Sequence, residues 1–248
     1  MSERKVEAFV IHLARATQRR AQVERIVAAC PLKTRVLDAV DGRAMSEDER
    51  AAVYRADLHE PRYPFRIGPG EIGCFLSHRN AWQTMLDEGL DAALIVEDDV
   101  EIELPVFAKA LELALSSMTP RSYVQFQVRK VPGGGAVVAS GNGIEIRRPV
   151  VAPRRTSAQL VGCAAARQLL AVSGHFDRPV DGLLQMPWVT GVHIDCAVPS
   201  GVSDRTNTSG GSTIQAKTGI HARIVREIRR WSYRRAIALR SRHEAQHR

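Results

Sequence analysis

The sequence predicts an α/β fold: a central, mostly parallel sheet flanked by helices, with a basic helix at its C-terminal end. Three observations carry that reading. Apolar runs of strand length alternate with segments of helical spacing through the first half of the chain. The 248 residues are 44% hydrophobic, which suits one large core. The net charge of +8 sits wholly in residues 217–248, which hold ten Lys or Arg against two acids, so residues 1–216 carry twenty-five of each sign. The chain is therefore read as a domain, 1–216, and a tail, 217–248.

The elements follow in order. "VEAFVIHL" (6–13) is a buried first strand, and residues 14–30 place Ala21, Val23, Ile26, Val27 and Cys30 on one helical face. "TRVLDAV" (34–40) is a second strand closed by Asp41-Gly42, and Ser46 with Glu49 makes a capping box for a short helix over 46–56. "PRYPFRIGPG" (61–70), with three prolines and two glycines, is irregular; residues 71–89 form a helix with Phe75, Trp82 and Leu86 on one side. Strand "AALIV" comes next, then a helix over 105–117, the alternating strand "SYVQFQV" (122–128) and a glycine-rich turn or hairpin (132–143). "SAQLVG" (157–162) reads as a strand, residues 163–173 as a helix and "VTGVHIDCAV" (189–198) as a last strand. Residues 199–213, rich in Ser, Thr, Gly and Asn, read as a mobile loop, and the tail from Ile220 as a helix.

Composition excludes several classes. Cys30, Cys74, Cys163 and Cys196 are scattered without a C-x-x-C pair, which favours reduced thiols over a disulfide frame or a zinc site and a cytoplasmic setting. The first apolar run is broken by His12 and Arg15, too early for a membrane span, and no small-residue cleavage site follows. With a charge-balanced body, the high pI is no argument for nucleic acid.

The stretch "DAALIVEDDVEI" (91–102) is the sharpest chemical signal. A buried strand needs one polar residue to end it; this one runs into Glu97, Asp98 and Asp99, with Glu101 and Glu103 behind. Adjacent carboxylates repel unless counter-charged. A divalent cation supplies that charge, and Mg²⁺ or Mn²⁺ commonly bridges one or two carboxylates to a substrate's phosphates. In open α/β sheets such ligands sit beyond the carboxyl ends of the strands, where this knot stands. A solvated acidic turn is the competing reading. No G-x-x-x-x-G-K-[ST], G-x-G-x-x-G, H-E-x-x-H or G-x-S-x-G is present.

"GEIGCFLSHRNAW" (70–82) followed by "DAALIVEDDV" closely resembles the signature of glycosyltransferase family 25, which contains bacterial lipooligosaccharide galactosyltransferases and collagen galactosyltransferases. "VIHLARATQRR", "DAVDG", "RTSAQLVGCAAARQLL" and "RPVDGLL" match other family segments in order, so the resemblance spans roughly residues 6–200, while "SYVQFQVRKVPGGG" departs from it. The resemblance implies a GT-A-type nucleotide-diphospho-sugar transferase fold, a metal-dependent UDP-sugar donor and inversion at the sugar carbon. It implies Asp99 and Glu97 as metal ligands, Glu97 alternatively on the ribose, and Asp98 in support. It places Ile11, His12, Leu13, Arg15, Arg20 and Asp41 beside the donor, with Arg19 a further candidate for the diphosphate; a solvated helix face accounts for some of these arginines. Gly70, Glu71, Gly73, Ser77 and His78 shape the site, Gly70 and Gly73 by close backbone approach, and His78 is equally readable as a satisfied core histidine.

An inverting transferase needs a base for the acceptor hydroxyl. Asp181 in the "PVD" segment is the candidate; a helix N-cap explains it equally well, and Asp177, Asp195 and Asp204 are rivals. His193 and Asp195 share a strand face, readable as a further metal contact or as packing. In the tail, Ile220, Ile224, Ile228 and Trp231 form an apolar edge among arginines. That helix either docks on an anionic membrane, bringing the enzyme to a lipid-linked acceptor, or packs on the domain through Ile and Trp. The expected function is transfer of a hexose, with galactose preferred, from UDP-sugar to a saccharide acceptor in lipopolysaccharide or lipooligosaccharide synthesis. The alternatives are a silent glycan- or membrane-binding module of the same fold and a metal-dependent nucleotidyltransferase or phosphodiesterase.

Overall fold

The computed structural model of the protein describes residues 4–131, 135–205 and 220–246. Its main sheet grows from β1 (Val6–His12), flanked by β2 (Thr34–Asp38) and β3 (Ala92–Glu97), both parallel to it. Between them lie α1 (Arg20–Ala29), α2 (Glu47–Val53) and α3 (Pro69–Asp87). The Ser46–Glu49 capping box forms as its spacing predicts, but the helix it opens ends at Val53. A short β4 (Val100–Ile102) and α4 (Leu104–Ser117) lead to β5 (Tyr123–Phe126), the hairpin β6 (Ala136–Gly141) and β7 (Ile144–Arg148), then β8 (Ala158–Gly162) and α5 (Cys163–Val172). The hairpin turns at Asn142-Gly143, both at positive φ, as a tight two-residue turn requires. α6 (Val180–Leu184) and α7 (Pro187–Thr190) precede β9 (Asp195–Val198), β10 (Val202–Asp204) and α8 (Ile220–Gln246).

The sheet runs β2-β1-β3-β8-β5-β9-β7-β6, and β8 and β7 lie antiparallel to both their neighbours. The sheet is thus mixed, with six of its eight strands pointing one way. The last strand is shorter than the apolar pattern predicts. Pro187 opens a helical turn that Gly191 closes at φ 65°, and the strand starts only at Asp195. The segment after Pro199 is not all loop: Val202–Asp204 pairs antiparallel with Val100–Ile102, and the rest of the expected loop, 206–213, lies outside the described residues.

Alternation along the strands sends side chains into two cores. Phe9, Ile11, Ala93, Ile95 and Val161 pack against α3, α5 and α6; Ala8, Val10, Leu94, Val96 and Leu160 pack against α1 and α4. α8 docks through Tyr233 and Ile237 on Met186, Tyr63, Val151, Trp188 and Val189. The helix does pack on the domain, but not through the face that the packing alternative named: Ile224, Ile228 and Trp231 are 55%, 59% and 61% exposed. Among the described residues no helix is long and apolar enough to cross a membrane.

Candidate active site

The same alternation separates the three acids. Glu97 shares parity with Ala93 and Ile95, so it emerges on the α3 side. There its Oε1 accepts from His78 Nε2 at 3.0 Å and from Thr156 Oγ1 at 2.7 Å. His78 is buried, and its other ring nitrogen meets Gln159 of β8 at 3.2 Å. Asp98 falls on the opposite side, with the parity of Leu94 and Val96. His12, at the end of β1 with the parity of Ala8 and Val10, meets it there through Nδ1 at 2.7 Å, and Arg19 donates to its other oxygen at 2.6 Å. Asp98 is thus spent on tying β1, the turn before α1 and β3 together. Asp99 lies 3.9 Å from Arg19. Burial, then the charge of Glu97, raises Asp99 to about 6, with Arg19 only partly opposing. Burial also pushes Glu97 up, but His78 and Thr156 outweigh it and hold Glu97 below its ordinary value.

Two cavities meet at these acids. One, about 420 Å³, is lined by Ile11, Leu13, Arg15, Asp41 and His78 among others; the second, about 460 Å³, by Tyr63, Glu71, Arg154, Arg155, Thr156 and Asp181. Gly70, Cys74, Glu97 and Asp99 line both. On the first side Arg15 Nε donates to Asp41 at 2.5 Å and holds that carboxyl below its usual range. Ser77 Oγ donates to the Gly73 carbonyl at 2.7 Å and accepts from Val40 N at 2.8 Å, pinning α3 to the loop after β2. A Cβ on Gly73 would lie 2.5 Å from the Val40 carbonyl oxygen, whereas one on Gly70 meets nothing within 4 Å. Glu71 caps α3 by accepting from Gly68 N at 2.7 Å. In the second cavity Asp181 Oδ2 accepts from Arg155 N at 3.2 Å. Asp181 lies inside the first turn of α6, whose N-cap is Pro179, so the capping explanation does not hold.

The sequence model of glycosyltransferase family 25 (LPS biosynthesis protein) matches residues 5–131, just over half of the chain. The chain belongs to glycosyltransferase family 25. Human procollagen galactosyltransferase 2 is 34% identical over 110 residues, 43% of this chain and 18% of that protein. The zebrafish (Danio rerio) procollagen galactosyltransferase 1 is 35% identical over 101 residues, 40% and 17% of the two chains. Mouse inactive glycosyltransferase 25 family member 3 is 34% identical over 100 residues, 39% and 17%. The chain thus spans under a fifth of the length of these curated relatives. A solved glycosyltransferase involved in glycosylation of the major capsid of PBCV-1 aligns over 66% of this chain and 62% of its own at 13% identity, with a TM-score of 0.34; at that score the likeness bears on neither fold nor activity.

Several residues expected beside the family 25 site lie elsewhere. Arg20 is exposed at the head of α1 and outside the lining of either cavity; Arg19, one residue earlier, makes the acid contact. Asp177 is buried in a double hydrogen bond with Arg178, and Asp195 in one with Arg148 at 2.7 and 2.9 Å, which removes both as bases. His193 lines a separate small cavity with Arg148 and Ser241, away from the acids. Asp204, by contrast, stays beside the site: it pairs with Arg155, which lines the second cavity, and its charge adds to the rise of Asp99. Tyr63, Arg154 and Thr156 line the site without a motif of their own to announce them; Thr156 alone falls in a segment that resembles the family.

The donor set bears on the metal. Cys74, His78 and Glu97 are the described cluster whose ligand atoms all lie within 4.8 Å. In the metal-free protein burial, then the charge of Glu97, drives the Cys74 thiol well up, and His78 Nε2 is turned to Glu97. Glu97 Oε2 and the under-compensated carboxylate of Asp99 are hard oxygen donors and fit Mn²⁺ or Mg²⁺ better.

Proposed function

We propose that this chain moves a hexose, galactose by preference, from a UDP-sugar to a saccharide acceptor in surface-glycan synthesis, with inversion at the sugar carbon, using a GT-A-type fold. The observation that carries this is one wall, Glu97 and Asp99, shared by two cavities, since a group transfer needs its two substrates on either side of one reacting centre. The cavity bearing Arg15, Arg19 and Asp41 takes the nucleotide diphosphate, where guanidinium groups match phosphate oxygens. Glu97 and Asp99 hold a divalent ion there, which when bound neutralises charge on the departing diphosphate. His78 and Thr156 keep Glu97 ionised and aimed. The cavity bearing Tyr63, Arg154 and Asp181 takes the acceptor, and Asp181 receives the acceptor hydroxyl's proton.

Calorimetry with UDP and Mn²⁺ tests the donor half. Asp99→Ala is expected to lose the metal-dependent part of UDP binding and all transfer while staying folded, with a metal-free stability at neutral pH no lower than the parent's; unchanged metal-dependent affinity removes Asp99 from the site. Asp181→Asn tests the acceptor half. It keeps size and the bond from Arg155 but cannot take a proton, so UDP-sugar binding is retained while turnover falls on the order of 10²-fold or more. Retained turnover in that variant assigns the base elsewhere. Mn²⁺-dependent UDP binding without any transfer or hydrolysis by the unaltered chain supports the silent-module alternative instead.

A further inference from the structure

α8 has two faces with different fates. Tyr233, Ile237 and Ser241 lie on the side turned to the domain and are buried. The opposite side carries Ile224, Ile228, Trp231 and Leu239, all more than half exposed, at spacings that keep them on one stripe. Exposed Arg229 and Arg234 lie to either side of that stripe, Arg235 and Arg242 fall within it, and the Arg235 guanidinium lies 5.3 Å over the Trp231 ring. Four large apolar side chains in water on a helix already anchored by its other face have no role in packing the domain.

We infer that this outward stripe is a docking surface for an anionic lipid bilayer. Charge complementarity selects the partner: residues 217–248 hold the whole net charge of +8, and the body has none to add. A basic helix with Trp, Ile and Leu on its free face meets a surface that is negative at the headgroups and apolar just beneath. A phosphodiester backbone would use the arginines and leave the stripe in water.

The docked face connects this surface to the acceptor cavity. The Tyr233 ring packs edge-on against Tyr63 at 5.3 Å, and Arg154 lies 6.0 Å from the same ring. Tyr63 and Arg154 are walls of the cavity that holds Asp181. A bilayer under α8 therefore brings lipid-linked saccharides to the side where the proposed acceptor sits. This last point rests on the reading of that cavity; the lipid contact itself does not.

The test is co-sedimentation of the full chain with vesicles of phosphatidylcholine and phosphatidylglycerol (3:1), against pure phosphatidylcholine. Binding is expected to the anionic vesicles alone, weakened at least tenfold by high salt, since the attraction is screened. The double variant Ile228→Ser, Trp231→Ser removes only exposed side chains; it is expected to melt as the parent does and to lose at least tenfold in vesicle affinity. No binding by the parent, or equal binding by the double variant, overturns the inference. So does a short DNA duplex that binds as tightly as the vesicles and is indifferent to the double variant. Donor binding by calorimetry, measured alongside, separates failure of the membrane inference from failure of the transferase reading.

Discussion

Burial and the neighbouring charge of Glu97 leave Asp99 titrating near 6, well above the ordinary aspartate range of about 4. In the metal-free protein its ionisation therefore opposes folding: the penalty is absent at about pH 4, grows through about 6 and is constant above that. Asp99→Asn is expected to raise metal-free stability at pH 8 by on the order of 2 kcal/mol and to leave it unchanged at pH 4, read from denaturant midpoints at the two pH values. Saturating Mn²⁺ should stabilise the parent and not the variant. The acidic knot announced Glu97 and Asp99 because like charges behind an apolar strand need a reason. The separate placement of Asp98 was not legible, because it depends on His12 and Arg19, each about eighty residues away, meeting the far side of β3.

α3 enters the site at close range to the loop after β2. A Cβ on Gly42 would lie 1.9 Å from the Pro69 carbonyl oxygen, and one on Gly73 would lie 2.5 Å from that of Val40, so both loop and helix backbone would have to part. Gly73→Ala is expected to cost roughly 1–3 kcal/mol as overpacking. Gly70→Ala, with open space around it, should instead gain about 0.5–1 kcal/mol from helix propensity while its methyl group narrows the mouth shared by both cavities. Thermal melts rank the three proteins, and UDP affinity shows whether the stabilised one binds more weakly. At this scale the helices were readable wherever a cap or an apolar stripe marked them, as at Ser46. Strand direction was not: β8 carries the same apolar signature as β3 yet runs antiparallel to it, because local pattern encodes burial and not polarity.

Across the whole molecule, α8 closes over a polar core built on Arg178, the first residue of the "RPVDGLL" segment. Arg178, 0% exposed, is held by Asp177 and donates to the Tyr233 hydroxyl at 3.0 Å. Tyr233→Ala opens a cavity and takes one acceptor from Arg178 Nη1, which keeps the Pro61 carbonyl and Met186 Sδ, so a loss of about 3–5 kcal/mol is expected, chiefly from the cavity. Trp231→Ala, two residues earlier and facing water, should stay within about 0.5 kcal/mol of the parent. The basic amphipathic character of the tail was legible in the sequence. Which of its faces packs was not, because the stripe richest in Ile and Trp is the one left outside, and Tyr233 with Ile237 forms the seam.

That division of labour bears on solubility. Without residues 217–248 the body carries twenty-five charges of each sign and no net charge. The same cut bares Met186, Tyr63 and Trp188, so electrostatic repulsion between molecules vanishes just where an adhesive face opens. Light scattering of such a shortened chain should show self-association at neutral pH that the intact protein resists, and the positive helix thereby serves the protein in free solution as a colloidal stabiliser.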